Sequence, residues 1–362
     1  MSDPDDDHDA DGGSPARDPE IHVLWMSGAL GCDGESVAIT SATSPSLEDL
    51  VLGTLPRVPR IVLHLPLLAV ETGEAFMQAF YDAEEGRLEH FILVVEGAIG
   101  NEDINGDGYW TGFGVNRFDG QPITANEWVD RLVPKASAVL AIGTCAAYGG
   151  IPAMRNNPTG AMGLPDHLGR DWRTRAGLPV VCLPGCPAQP DNMTQILMEL
   201  ACHIAGTGPA PQLDDQLRPV SMFGLTVRES CNRAGFTEQG KFASEHGSDP
   251  RCLVKLGCKG PVVKCNVPYR GWTGGVGGCP NVGGICIACT MPGFPDRYTP
   301  FHKADPWGNA AANVQRFTYG PVFRYFRRLN VEKKFDREPE WRRPGRVLES
   351  GYDPPWLDGD AS

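Results

Sequence analysis

Seven of the chain's twelve cysteines lie between Cys231 and Cys289, in a stretch dominated by glycine and cysteine where apolar runs are short. A segment of that kind cannot repay its ordering entropy by apolar burial alone, so bound groups must cross-link it. The other five, Cys32, Cys145, Cys182, Cys186 and Cys202, are spread over the first two hundred residues. Disulfides are a poor explanation for a chain with no export signal, which leaves metal or cluster ligation as the leading reading. Residues 1–20 hold eight acids against Arg17, with no basic n-region, apolar h-region or twin arginine, and read as a disordered acidic tail. The expectation is a cytoplasmic protein, with association at a membrane surface left open.

Upstream of the cysteine-rich stretch the pattern changes. Short apolar runs at Ile21–Met26 (IHVLWM), 60–65 (RIVLHL), 90–95 (HFILVV), 136–142 (ASAVLAI) and 178–183 (LPVVCL) alternate with amphipathic stretches at 73–83, 125–136 and 192–205. Each run suits a strand buried on both faces, and the alternation predicts a doubly wound, flavodoxin-like parallel sheet. The uncharged stretch 136–154 contains Gly143, Gly149, Gly150 and Pro152, so it reads as a strand followed by a loop rather than a membrane span. The domain expectation is therefore an acidic tail (1–20), a flavodoxin-like domain (21–205), a loop-rich iron–sulfur domain (206–296) and a C-terminal extension (297–362). In that extension the segment 316–346 carries ten bases, most simply as the cover of a docked helix surface. A formal net charge of −13 argues against a nucleic-acid partner.

The chemistry sits where the predicted strands end. Cys32 and Asp33 follow the first run, Glu96 the third, Cys145 the fourth and Cys186 the fifth. Loops at the carboxyl ends of a parallel sheet converge on one crevice, and these loops carry thiols instead of a phosphate cradle. In the cysteine-rich stretch, Cys286-Ile-Ala-Cys289 is a CxxC preceded by Gly283 and Gly284, with Cys265 and Cys279 upstream. Cys252 and Cys258 form a further pair, with Cys231 as a third donor. Seven thiols are too many for one tetrahedral site, and two sites here plus one on the sheet is the economical count.

In this order, GTC (Gly143 to Cys145), PGCP (Pro184 to Pro187), GCKGP (Gly257 to Pro261) and CIAC (Cys286 to Cys289) resemble the small subunit of nickel–iron hydrogenases, and the pairs Glu35-Ser36 and Glu96-Gly97 fit as well. The resemblance covers about residues 21–303. It implies three iron–sulfur clusters, most simply [4Fe-4S], and a large subunit that holds the nickel–iron site. It also implies an acceptor protein or quinone pathway and a higher-order oligomer of heterodimers. The chain would then be the electron-carrying part of an enzyme that oxidises hydrogen. Matched by motif, Cys145 and Cys186 correspond to proximal-cluster ligands, Cys286 and Cys289 to medial ones, and Cys231, Cys252 and Cys258 to distal ones.

Three departures from that pattern refine the expectation. The family's CxxCxES is replaced by Leu30-Gly31-Cys32-Asp33-Gly34-Glu35-Ser36, so the proximal set becomes Cys32, Asp33, Cys145 and Cys186, which suggests the actinobacterial-type, oxygen-tolerant branch. Arg228 stands where the family's distal histidine is expected. Arginine has no lone pair to donate, so the fourth distal ligand stays unassigned. The usual medial cysteine falls near Val267, and the medial set becomes Cys265, Cys279, Cys286 and Cys289.

Blander readings stand beside these. Asp33 serves equally as a helix cap, Cys182 and Cys202 as packed core thiols, and Glu96 as a proton relay, a partner contact or an ordinary strand-end acid. The alternative for the whole chain is a zinc-rich binding or scaffolding module.

Overall fold

The structure, a computed structural model, describes residues 20–304 apart from Gly28, Asp107 and Ser248, together with isolated positions between 310 and 325. The acidic tail up to residue 19 and the ten bases of 316–346 lie outside the described residues.

Five strands form a parallel sheet: β1 (Ile21–Met26), β2 (Ile61–His64), β3 (Phe91–Glu96), β6 (Ala138–Ile142) and β7 (Val181–Leu183), in the order β2-β1-β3-β6-β7. That is the flavodoxin-like arrangement, with the chain reversing direction across the sheet beside β1. The central strands β3 and β6 are buried at every position, which is why their sequences are unbroken apolar runs. Alternate side chains feed two separate cores. Leu24 and Met26 face Phe80 and Trp128, whereas Val23 and Trp25 face Leu50, Met193 and Ile196. Helices α3 (Glu74–Glu84) and α4 (Ala125–Leu132) supply the first core. Helices α2 (Leu47–Val51) and α7 (Pro190–Ile204) supply the second, completing three layers.

Helix starts follow local chemistry. Ser46 and Asp49 form a capping box on α2, and the Thr124 side chain accepts from the Glu127 N–H at α4. At α7 the Gln189 side chain accepts from the Asn192 N–H, and Pro190 occupies the first turn, where its missing N–H costs nothing. The helix therefore begins two residues before the expected 192. Two further differences stand out. The stretch after β6 is not a loop: it turns at once into helix α5 (Gly143–Tyr148). A two-stranded antiparallel ribbon of β4 (Gly112–Val115) and β5 (Pro122–Thr124) lies outside the main sheet. Its first strand has no buried residue, so it left no apolar pattern to read.

Downstream of α7 regular structure thins to short turns of helix such as Val227–Ser230 and Val267–Arg270. The apolar clusters there are small: Val227, Val263, Cys286 and Ala288 form one, and Ala243, Leu253 and Ile285 the other. No helix among the described residues is long and apolar enough to cross a membrane.

On β1 and β2 the rings of His22 and His64 stack, with Nδ1 of His22 3.0 Å from Nε2 of His64. Burial, and then the charge on His22, push His64 down to about 4, against partial relief from Glu71 and Asp82. The folded state thus keeps His64 neutral where the unfolded chain would protonate it. Its contribution to stability is complete above pH 6.5 and lost as pH falls from 6.5 toward 4. Thermal unfolding across that window is expected to show a declining melting temperature, and His64→Phe to flatten the decline; an unchanged slope would assign the acid sensitivity elsewhere.

Candidate metal centres

The carboxyl edge of the sheet gathers the first group of thiols. After β1 the chain is pinned by reciprocal backbone hydrogen bonds between Leu30 and Ala98 (2.9 and 2.7 Å), which present Cys32 and Asp33 at the edge. After β6, Cys145 sits in the first turns of α5, and after β7 Cys186 follows Gly185. Charges on Glu35, Cys186 and Cys32 all bear on Cys145, whose thiol is pushed up to about 12, mainly by burial. Cys145, Cys186 and Cys32 thus lie near enough to influence one another. Asp33 joins them on the same loop. It occupies the position before helix α1 (Gly34–Ala38) with φ 55, yet its side chain caps nothing and makes no hydrogen bond among the described residues. Burial, and then the charge of Glu96, hold its carboxyl above the usual range. The capping role is therefore not the one it plays.

Two glycines show how tightly this edge is built. Gly143 has φ +81, and a Cβ there would fall 2.3 Å from Oε1 of Glu35. Gly150 has φ +54, and a Cβ would fall 2.8 Å from the Cys145 thiol and 2.9 Å from its backbone. Both conformations and both spaces require glycine.

Behind the thiols lies a buried acid network. Glu96, 1% exposed, accepts from Trp25 Nε1 (2.7 Å), from the backbone N–H of Glu35 (2.9 Å) and of Ser36 (3.2 Å), and from the Ser36 hydroxyl. It is thus a hydrogen-bonded strand-end acid, too deep to meet a partner directly. Glu35 is pushed up to about 8 by burial, then by the charge of Glu96 and a hydrogen bond to it. The sequence had marked Glu35-Ser36 only as a motif, and the anchoring role of Trp25 left no signal outside its apolar run.

The second group lies beneath the sheet edge. Cys265, Cys279, Cys286 and Cys289 line one cavity of about 50 Å³, walled also by Pro187, Phe223 and Trp272. Burial raises all four thiols, Cys265 up to about 11. Below it runs Arg218, 2% exposed, paired to Asp214 at 2.8 Å and donating to the Thr290 carbonyl. The third group, Cys231, Cys252 and Cys258, lines a space of about 100 Å³ that also receives Arg228, Arg233 and Thr237. Among the described residues no histidine or carboxylate lines it. Cys182 stands apart, fully buried in β7, and Cys202 lies partly buried in α7.

The donor chemistry fits iron–sulfur groups. The donors are soft and arranged around voids, and backbone N–H groups of Arg233 and Cys286 point at the thiols of Cys231 (3.4 Å) and Cys258 (3.3 Å). Thiols whose burial disfavours the thiolate are stabilised as thiolates once iron supplies positive charge. Among the described residues, no three His, Cys, Asp or Glu side chains are placed to hold a single metal ion.

A flavodoxin-like sheet with thiols along its carboxyl edge, joined to a thiol-lined coil, defines an electron-carrying protein. Comparison with known proteins narrows this. The family model for the 20 kDa subunit of NADH ubiquinone oxidoreductase matches residues 32–200, and that for the C-terminal part of the NiFe/NiFeSe hydrogenase small subunit matches 223–302. The periplasmic [NiFeSe] hydrogenase small subunit of Desulfomicrobium baculatum is 33% identical over 295 residues, covering 78% of this chain and 87% of that protein. The hydrogenase-2 small chain of Escherichia coli K12 is 31% identical, covering 84% and 73%. Among solved structures, the actinobacterial-type NiFe-hydrogenase of Ralstonia eutropha H16 is 54% identical with a TM-score of 0.84, covering 94% of this chain and 97% of that one. The chain belongs to the family of nickel–iron hydrogenase small subunits. It is accordingly the electron-transferring subunit of a heteromeric hydrogenase whose active site is on the large subunit, and it carries iron–sulfur clusters.

Because a Cβ at Gly150 would strike the backbone of Cys145, Gly150→Ala is expected to lower the iron bound per chain in protein that still folds. Iron retained at the unmodified level would show that the Cys145 turn tolerates displacement.

Proposed function

We propose that this subunit holds three [4Fe-4S] clusters in series and passes electrons from its large-subunit partner to an acceptor protein or a quinone-linked carrier. The observation that supports it is the sorting of eleven donors into three groups, each around its own space or edge. Cys32, Asp33, Cys145 and Cys186 would hold the proximal cluster, Cys265, Cys279, Cys286 and Cys289 the medial one, and Cys231, Cys252 and Cys258 the distal one. When bound, such clusters supply reversible one-electron chemistry with no transfer of atoms.

The protein's own contributions are placement, exclusion of water and electrostatics. Cys32 and Cys186 are exposed on the carboxyl edge, which suits a face covered by the large subunit, where electrons would enter. Pro187, Phe223 and Trp272 wall the cavity of the medial thiols, of which Cys286 is buried and Cys279 exposed. Arg228 is exposed at the rim of the distal space with no ion pair among the described residues, which suits the exit toward an acceptor. A carboxylate oxygen at Asp33 is a harder donor than sulfur and alters the proximal potential. The oxygen tolerance implied by the actinobacterial-type resemblance belongs to this proposal, as do the cytoplasmic setting and assembly of the heterodimers into a larger oligomer.

Iron and acid-labile sulfide on the order of twelve atoms each per chain are expected from the purified complex; four or fewer would overturn the three-cluster reading. Asp33→Cys is expected to give a folded protein with a shifted proximal signal in electron paramagnetic resonance and a changed proximal potential. An unaltered spectrum and potential would remove Asp33 from the ligand set.

A further inference from the structure

The three thiol groups are joined by specific hydrogen bonds, and one buried hydroxyl has no role yet. Thr144, 1% exposed, immediately precedes Cys145. Its backbone N–H donates to the Gly185 carbonyl at 2.8 Å, and its hydroxyl accepts from the Gly185 N–H at 3.0 Å. The same hydroxyl donates to the backbone carbonyl of Cys289. One side chain thus ties together the turn of Cys145, the residue before Cys186 and the peptide of Cys289, which lines the neighbouring cavity. The other junction is built without a side chain. The Cys286 N–H donates to the Cys258 thiol at 3.3 Å, and the Lys259 N–H donates to the Cys286 carbonyl at 2.8 Å.

We propose that Thr144 is the positioning residue of the first junction, holding the Cys289 strand of the medial site against the Cys145 and Cys186 loops of the proximal site so that electrons cross between them. The inference rests on the ligand grouping proposed above. In the step it supports, the proximal side loses one electron and the medial side gains it, with no proton or atom moving; the electrons originate in the established hydrogen oxidation of the enzyme. The hydroxyl accepts once and donates once, so its single proton is committed to the Cys289 carbonyl. An isosteric valine therefore strips the Gly185 N–H and the Cys289 carbonyl of this partner in a site closed to water, whereas serine keeps both bonds.

The test uses the purified heteromeric enzyme carrying Thr144→Val or Thr144→Ser, mixed with hydrogen and frozen at successive times, with the medial signal followed by electron paramagnetic resonance. Expected are a medial signal that grows about tenfold more slowly in the valine variant, with a weakened magnetic coupling between proximal and medial signals, and unmodified behaviour in the serine variant. Valine filling the medial site at the unmodified rate, or serine as slow as valine, would overturn the proposal. Should valine also lose iron, full recovery of iron and rate by serine supports the clasp and failure of recovery overturns it. The unmodified enzyme is read in parallel: if it lacks three separable cluster signals, the ligand grouping fails, and that result is independent of the ratio between variants.

Discussion

Thiols buried without countercharge are the constraint on which this structure depends. Desolvation raises Cys145, Cys265, Cys286 and Cys289, so with the protein alone these groups are held neutral in spaces that no apolar side chain fills. Iron reverses the balance by favouring the thiolate and occupying the space at once. The residues after α7 show why this matters for folding as well as function. Their apolar clusters are a handful of residues each, far smaller than the two cores that sandwich the sheet.

The sheet plays the complementary part. Its cores are closed by Trp25, Phe80, Trp128 and Met193, all fully buried, and need no metal. A parallel sheet delivers four loops to one edge, while Met222 and Phe223 of the coil pack into one of its cores. The rest of the meeting is largely polar. The side chains of Asn192 and Asn266 exchange two amide hydrogen bonds (2.9 and 2.8 Å), Arg270 donates to Asn192 at 3.0 Å, and Gln189 donates to the Gly271 and Trp272 carbonyls. Buried polar networks of this kind fix one relative arrangement where apolar contact would allow several. A fixed arrangement is what a chain of electron-carrying sites requires.

Much of this was legible in the sequence. Strands buried on both faces leave unbroken apolar runs, so β1, β2, β3, β6 and β7 and their parallel order followed from composition and spacing alone. That the thiols serve iron–sulfur groups was legible because twelve cysteines at such spacing have few other uses. What escaped notice was written in residues without a distinctive pattern. Helix α5 begins at glycine, which argues against helix in a propensity reading. The first strand of the ribbon, β4, has no buried residue and leaves no alternation. Trp25 looked like one more apolar residue, and its bond to Glu96 depends on β1 and β3 being neighbours. Thr144 looked like the middle of a motif, and its link to Cys289 joins positions far apart in sequence. Asp33 lay in view from the start, but only the structure shows its side chain capping nothing at positive φ, which sets the helix-cap reading aside.

The account's central claim is that this one polypeptide organises three separate iron–sulfur sites. Mössbauer spectroscopy of the iron-57-enriched complex tests it most directly. Subspectra that resolve into three iron populations of equal weight on this subunit, one of them distinguished by an oxygen-bound iron, are the predicted result. A single population, or iron confined to the nickel-bearing partner, would contradict it.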